Sequence, residues 1–236
     1  MQHSALMAAP EALHPSLWRA SQLGQAATRC LDTGFAALSA QLPGGGWPGG
    51  CLIDLLLQQA GCGELRLLAP ALAQLGGLPI VLLQPPHPPQ ALALAALGLA
   101  PSQLLWLRSA GSKDALWAAE NILRSGSCGA LLFWQPHVRG DSLRRLHLAA
   151  QGGNTLFCML RPLHGAQDAS PAPLRLSLRP ASGGIEIGFI KRRGPQREAP
   201  LFLPLQPPSL LQRHASLDRP LPASAPARSL LPELVG

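Results

Sequence analysis

The sequence predicts an α/β fold in which a mostly parallel sheet is flanked by helices and followed by a C-terminal β-hairpin. Two observations predict it. Between residues 51 and 160, short apolar runs alternate with segments whose apolar residues have helical spacing, which is typical of parallel strands joined by right-handed crossovers. After residue 174 the apolar residues recur at every second position, which is typical of antiparallel strands with one buried face.

The parallel strands are predicted from the apolar runs. A continuous apolar run is expected where helices cover both faces of a parallel sheet. We therefore expect every one of these strands to be buried on both faces. They occupy residues 51–57, 79–83, 104–107, 130–134 and 154–160.

Helices are predicted before the first strand and between the others. Thr33 and Ser112 are positioned to cap two of them, and Gly98 and Gly126 are positioned to end two. Pro70 lies inside another helix, which it should kink or shorten. A further helix is expected to begin near residue 15, and the remaining predicted ranges are 33–42, 64–75, 88–97, 112–125 and 142–150.

The C-terminal part divides into a hairpin and a tail. A turn at residues 182–184 links two alternating strands, and a last strand is expected at 201–203. Residues 204–236 contain seven prolines and few large apolar groups, so this segment is not expected to pack. We divide the chain into an N-terminal helical segment (1–29), an α/β domain (30–204) and a proline-rich tail (205–236).

Composition favours a cytoplasmic protein. The 236 residues carry a net charge of +7, almost entirely from arginine, which admits nucleic acid or an acidic protein as a partner. The five cysteines are scattered, as expected for buried thiols in a reducing compartment. We recognise no signal peptide and no apolar stretch long enough to cross a membrane, so we expect no membrane association.

A degenerate phosphate loop follows the strand at 51–57. An ATP-binding loop needs Gly-x-x-x-x-Gly-Lys-Ser/Thr, since its backbone N–H groups cradle phosphate, its Lys reaches the terminal phosphates and its hydroxyl binds magnesium. Gly63 keeps the last glycine, but Gln58 stands at the first glycine, Glu64 at the Lys and Leu65 at the hydroxyl. Gly61 and Gly63 are then interpreted as turn residues, and Glu64 as a first-turn acid stabilised by the helix dipole.

The sequence indicates neither a metal site nor a nucleophilic catalytic site. The histidines lack the spacing of metal ligands, and no nucleophile elbow accompanies any serine. We therefore expect no catalytic residue, no bound metal and no cofactor.

At this point the order of elements resembles a known family. Thr33, Gly34 and the turn at residues 43–50 resemble the beginning of the ATPase core of bacterial RecA. The resemblance continues through residues 84–98, 125–134 and 154–156 to the hairpin ending at Lys191, so it spans roughly residues 30–205. It implies a RecA-like core.

Within that superfamily the chain is similar to ImuA, the RecA-like accessory proteins of bacterial translesion synthesis. The similarity rests on Leu-His-Pro-Ser-Leu-Trp-Arg at 13–19, Leu-Pro-Gly-Gly-Gly-Trp-Pro at 42–48 and Gly-Glu-Leu-Arg-Leu-Leu at 63–68. It implies a non-catalytic scaffold of the DNA-damage (SOS) response. Such a scaffold would act with a Y-family-polymerase-like protein of the ImuB type and an error-prone polymerase, and RecA and DNA are further candidate partners.

The departures from RecA concern its catalytic groups. RecA has an acidic catalytic pair after its second core strand. This chain has Gln84 and Pro86 at those two places, and in this segment only His87 matches the RecA pattern. The Asp that ends the magnesium-binding strand of RecA is matched by Trp134, followed by Gln135. With the Lys, the hydroxyl and both acids replaced, we expect no phosphoryl transfer, because that chemistry depends on these charges and their positions.

A basic turn is the candidate interaction surface. Lys191, Arg192, Arg193 and Arg197 follow the second hairpin strand and are candidate contacts for DNA phosphate or an acidic protein face. The alternative interpretation is a solvated hairpin end, which is what charge runs usually form.

Two other functions remain open. One is cell-division inhibition of the SulA type, a related degenerate RecA-like family that binds the tubulin-like division protein. The other is a DNA-dependent ATPase that uses unusual ligands.

Overall fold

A computed structural model describes residues 29–194 and 199–205. Its centre is an eight-stranded sheet, in which a parallel block continues into a C-terminal antiparallel hairpin. The strand order is β10-β9-β8-β3-β7-β6-β4-β5. The strands are β3 (Cys51–Leu57), β4 (Ile80–Leu83), β5 (Leu104–Leu107), β6 (Ala130–Trp134), β7 (Leu156–Pro162), β8 (Leu174–Ala181), β9 (Gly184–Lys191) and β10 (Leu201–Pro204). A small antiparallel ribbon of β1 (Cys30–Leu31) and β2 (Trp47–Pro48) precedes them.

Helices cover both faces of the sheet, so the predicted α/β class is confirmed and the architecture is consistent with a RecA-like core. Successive residues of β4 lie in different core clusters: Ile80 and Leu82 in one, Val81 and Leu83 in the other. The first cluster includes residues of α1 (Ala36–Ser39), α2 (Glu64–Ala73) and α3 (Ala91–Ala95). The second includes residues of α4 (Ser112–Ser125) and α5 (Gly140–Ala150). Apolar side chains on both sides of each strand therefore hold the layers together.

One strand departs from the expectation that every apolar run is buried. In β5, Leu105, Trp106 and Leu107 are 48%, 46% and 38% exposed. The reason is its position, because β5 is the last strand of the sheet and has no neighbour on its outer side among the described residues.

The predicted side-chain caps are wrong. The N-cap positions of α1 and α4 are Phe35 and Gly111, and neither has a side-chain cap. Thr33 instead bonds the backbone of Phe35 just before the helix, and Ser112 is the first helical residue. Pro70 lies inside α2, which ends at Ala73 and is shorter than the sequence predicted.

Several predictions concern residues outside the described part of the chain. These are the helix near residue 15, the proline-rich tail beyond Leu205 and the contact role of Arg197. Among the described residues, none of the helices combines the length and apolar character needed to cross a bilayer.

Candidate functional site

The degenerate phosphate loop lies where the sequence placed it, between the end of β3 and the start of α2. Gly61 has φ +78° and Gly63 has φ +118°, a left-handed conformation that strongly favours glycine. Their interpretation as turn residues is thus supported by the backbone. Gln58 is exposed, and its backbone N–H donates to the Leu178 carbonyl at 3.0 Å, which joins the start of the loop to β8.

The Glu64 carboxylate occupies the backbone N–H groups of this loop. Its Oε1 accepts from the Gly61 N–H at 2.8 Å, and its Oε2 accepts from the Gly63 N–H at 3.1 Å. The side chain is buried, with 3% of the residue exposed. Backbone N–H groups at a helix N-terminus attract anions, and here the chain supplies the anion itself.

In this arrangement both donors are already paired with a carboxylate. A phosphate would have to displace the carboxylate, and the two negative charges repel by about 4 kcal/mol at 4 Å and an effective dielectric of about 20. Leu65 is half-buried and packs against the core. A leucine side chain has no oxygen atom that could bind magnesium. The loop therefore has a carboxylate and an apolar side chain at the positions where an ATP-binding motif has its Lys and its hydroxyl.

The C-terminal strands close over the same loop. A side chain at position 63 would approach Leu205 Cδ1 to 3.0 Å and Ile185 Cδ1 to 3.7 Å. Arg66 of α2 donates to the Leu205 carbonyl at 3.4 Å. Gly63 is therefore required by its conformation and also by the packing of the hairpin side of the sheet.

Cys62 is the only cysteine of this loop, and it is buried. Burial, and secondly the charge of Glu64, raise the pKa of its thiol to about 12. The thiolate is the nucleophilic form of cysteine, so Cys62 stays protonated and unreactive at neutral pH.

Gln84, at the place of a RecA catalytic acid, connects two loops. Its φ is +55°, unusual for a residue other than glycine. Its backbone N–H donates to the Leu107 carbonyl at 2.9 Å, and its side-chain Nε2 donates to the Ser109 carbonyl and hydroxyl, each at 2.9 Å. An amide held in this way joins the end of β4 to the loop after β5 and cannot act as a general base.

The end of β6 carries no acid either. Trp134 is 7% exposed, and its indole N–H has no hydrogen-bond partner among the described residues. The buried Gln135 donates to the Ser112 hydroxyl at 2.9 Å, which joins β6 to the start of α4. Within residues 29–194 and 199–205, no group of three or more His, Cys, Asp or Glu side chains could hold a metal ion.

A buried charge cluster, which was not predicted from the sequence, is centred in the strand before the loop. Asp54 of β3 is fully buried and accepts two hydrogen bonds from Arg161, at 3.0 and 2.8 Å, and one from Arg175 at 3.0 Å. Burial alone would lower the pKa of Arg161, but hydrogen bonds and charge attraction to Asp54 outweigh it and raise that pKa. The available signal was an acid inside an otherwise apolar strand, since buried acids are almost always paired.

The basic turn lies apart from the loop. Arg192 is half-buried, stacks 5.2 Å from the Phe189 ring centre and donates to the Gln41 carbonyl. Lys191 and Arg193 are exposed, and Lys191 donates to the Ser170 carbonyl at 3.3 Å.

Arg193 lies towards the amino end of β3. Lys191, at the end of β9, pairs with Arg175, and Arg175 pairs with Asp54 of β3, so the turn that follows Lys191 continues towards the first residue of that strand. The phosphate loop follows the last residue, about 20 Å away at 3.3 Å per residue. The two candidate sites therefore do not converge on one ligand.

Comparison with known proteins gives a partial similarity. No protein-family model matches the chain. It is 32% identical over 87 residues to the cell division inhibitor SulA of Edwardsiella piscicida, which covers 37% of this chain and 52% of that protein. It is 33% identical over 81 residues to SulA of Photorhabdus laumondii, which covers 34% and 46%. The chain thus spans about half the length of the curated relatives it matches.

Proposed function

We propose that this chain is a non-catalytic, RecA-like accessory protein of the bacterial DNA-damage (SOS) response. It would support error-prone translesion synthesis together with a Y-family-polymerase-like protein and an error-prone polymerase. The observation that carries the proposal is the Glu64 carboxylate on the Gly61 and Gly63 N–H groups, at 2.8 and 3.1 Å. In this proposal the loop is occupied by a side chain of the protein itself, so the protein does not act through ATP hydrolysis. It acts by binding other molecules.

The other former catalytic positions support the same conclusion. Gln84 and Gln135 are neutral amides engaged with Ser109 and Ser112, and Trp134 is an indole. Positioned charge stabilises the transition state of phosphoryl transfer. In this chain the corresponding groups hold loops together instead.

The similarity to SulA supports the link to DNA damage, and the resemblance to ImuA supports the translesion role. The ImuA-like stretch at 42–48 runs from a turn into β2, and the stretch at 63–68 runs from the end of the loop into α2. In this proposal the main partner is the Y-family-polymerase-like protein, and RecA and DNA are secondary partners.

Three measurements test the proposal. Purified protein should show no magnesium-dependent ATP hydrolysis above background, with or without single-stranded DNA. Affinity purification after DNA damage should recover a Y-family-polymerase-like protein, and deletion of the gene should lower damage-induced mutation frequency. Robust hydrolysis abolished by substitution of Gly63, or unchanged mutagenesis in the deletion strain, contradicts the proposal.

Cell-division inhibition is the second candidate function, and the matches to two SulA proteins favour it directly. It predicts that overproduction makes cells grow as filaments. It also predicts that the purified chain captures the tubulin-like division protein. Filamentation with such capture, and no effect of deletion on mutagenesis, would select this function over the first.

A further inference from the structure

The outer side of β5 is a sheet edge that no strand among residues 29–194 and 199–205 covers. Natural proteins usually protect an edge strand with a charge, a proline, a bulge or a covering segment. The four residues of β5 are Leu104, Leu105, Trp106 and Leu107, and none of these devices is present in the strand. The opposite edge differs, because β10 ends in Pro204.

Backbone direction shows which groups face outward. The Leu107 carbonyl accepts from the Gln84 N–H that follows β4, so the backbone groups of Leu107 point towards β4. Residues along a strand alternate in the direction of their backbone groups. The N–H and C=O groups of Leu104 and Trp106 therefore point away from the sheet, where a further strand would bond.

We propose that β5 pairs antiparallel with β5 of a second copy of this chain, with Trp106 opposite Trp106 on a two-fold axis. The axis runs perpendicular to the sheet, so each side chain stays on its own face in both copies. Opposite residues in a pair share a face, so the axis passes through a residue, and only Leu105 or Trp106 on the axis pairs three residues of β5 with β5 of the other copy. The result is a continuous sheet across two copies.

The register centred on Trp106 uses the outward groups best. Residues on the axis exchange both backbone hydrogen bonds in a hydrogen-bonded pair, and the outward groups of Trp106 meet this requirement. Leu105 then lies opposite Leu107 of the other copy, and Leu104 lies opposite Arg108. This keeps the two Arg108 charges apart, whereas like charges placed directly opposite destabilise a pair.

The apolar character of β5 favours a second copy as the occupant. The chain carries +7, yet β5 itself is uncharged, so it suits an identical apolar strand better than an acidic partner. The exposed parts of Leu105, Trp106 and Leu107 amount to about 300 Å² per copy, or about 600 Å² over both copies, which is below the roughly 1,200 Å² of stable specific interfaces. A weak, reversible dimer is therefore expected.

Sedimentation velocity on the full chain tests this proposal. From about 1 to 100 μM the wild type should shift from monomer to dimer, and Trp106→Lys should raise the dissociation constant about 100-fold. The matched control is Leu148→Lys on α5, at a residue that is 64% exposed, and it should dimerise normally. Added salt should strengthen association by screening the repulsion between two cationic chains.

A mixing experiment identifies the two-fold axis. Trp106→Lys and Trp106→Glu should each be monomeric alone but should associate with each other, because opposite charges then meet across the axis. Circular dichroism and thermal melts check that both variants fold. A wild type that stays monomeric throughout this range, a dimer unaffected by Trp106→Lys, or no association of the mixed variants overturns the proposal. These outcomes do not depend on ATP hydrolysis or mutagenesis, so they are separate from the tests of the proposed function.

Discussion

The Glu64 carboxylate lies 2.8 Å from the backbone N–H of Gly61, three residues before it in the chain. A side chain at the first position of a helix thereby folds back onto the turn that precedes it. The same carboxylate also accepts from Gly63. The conformation of the loop is therefore stabilised by a side chain of the helix that follows it.

Removing this carboxylate should open an anion site. Glu64→Ala leaves two N–H groups without their acceptor and should cost about 1–3 kcal/mol of unfolding free energy. Inorganic phosphate should then raise the melting temperature of the variant more than that of the wild type, because the freed N–H groups can bind it. Differential scanning fluorimetry with increasing phosphate measures both effects.

Glu186→Ala is the matched control, because Glu186 lies in the middle of β9 and not at a helix N-terminus. It should respond to phosphate as the wild type does. An equal rise for wild type and Glu64→Ala would show that the loop is already accessible to anions.

Asp54 should be much more important for stability than Asp168, although both contact Arg161. Asp54→Asn removes the acid that two buried arginines share. It should lower the free energy of unfolding by about 3–5 kcal/mol, because the buried charges that remain have lost this partner. Asp168 is 59% exposed, so Asp168→Asn should cost at most about 1 kcal/mol. Urea unfolding at neutral pH compares the two, and equal losses would contradict the role given to Asp54.

Stability should fall as the solution becomes mildly acidic. Burial, and secondly the charge of Lys191, lower the pKa of His147, whose Nδ1 accepts from the Leu52 N–H at 3.2 Å. The folded state thus binds this proton less readily than the unfolded state. The stabilisation is complete above the unfolded pKa of about 6.5 and is lost as pH falls through it towards the lowered folded value.

Urea unfolding between about pH 5 and 8 checks the histidine contribution. His147→Asn, which keeps an uncharged acceptor, should flatten the profile around pH 6, and Lys191→Gln should flatten it partly. His87→Asn is the control, because His87 is exposed, and it should leave the profile unchanged. A profile equally steep in His147→Asn would assign the effect to other groups.

Two arginines of the basic turn should differ in role: Arg192 should contribute to stability, and Arg193 should contribute to binding. Arg192→Ala removes contacts with Phe189 and Gln41 and should lower stability by about 1 kcal/mol. Arg193→Ala should change stability by less than about 0.5 kcal/mol while weakening any binding to DNA or to an acidic partner at low salt. Fluorescence anisotropy with labelled single-stranded DNA measures that binding. Unchanged binding in Arg193→Ala removes this turn as an interaction surface.

Local patterns were sufficient to predict most elements of the sheet. Strands β3, β5 and β6 begin and end at the predicted residues, because each apolar run is bounded by glycine or by polar residues. Helix α3 is shorter than predicted, at Ala91–Ala95, because the prolines before it cannot join a hydrogen-bonded helix interior.

Features that depend on residues far apart in the sequence could not be predicted from local patterns. The exposure of Trp106 depends on β5 being the last strand, and no local pattern distinguishes an edge strand from a central one when both are apolar. Asp54 and Arg161 are 107 positions apart in the chain, so their pairing follows from the strand order. The Glu64 contact is local and resembles a capping box, in which a first-turn acid bonds back to a preceding N–H.

The Asp54 cluster also determines how far the domain can be divided. Its acid lies in β3, and its bases lie in β7 and β8, so the charge of Asp54 has no buried partner until the chain has reached Arg161, and the cluster is complete only at Arg175. A fragment that stops before β7 leaves an ionised group inside an apolar layer. The region from Cys51 to Arg175 therefore has no autonomous half, and gene fusions or truncations within it should give insoluble products.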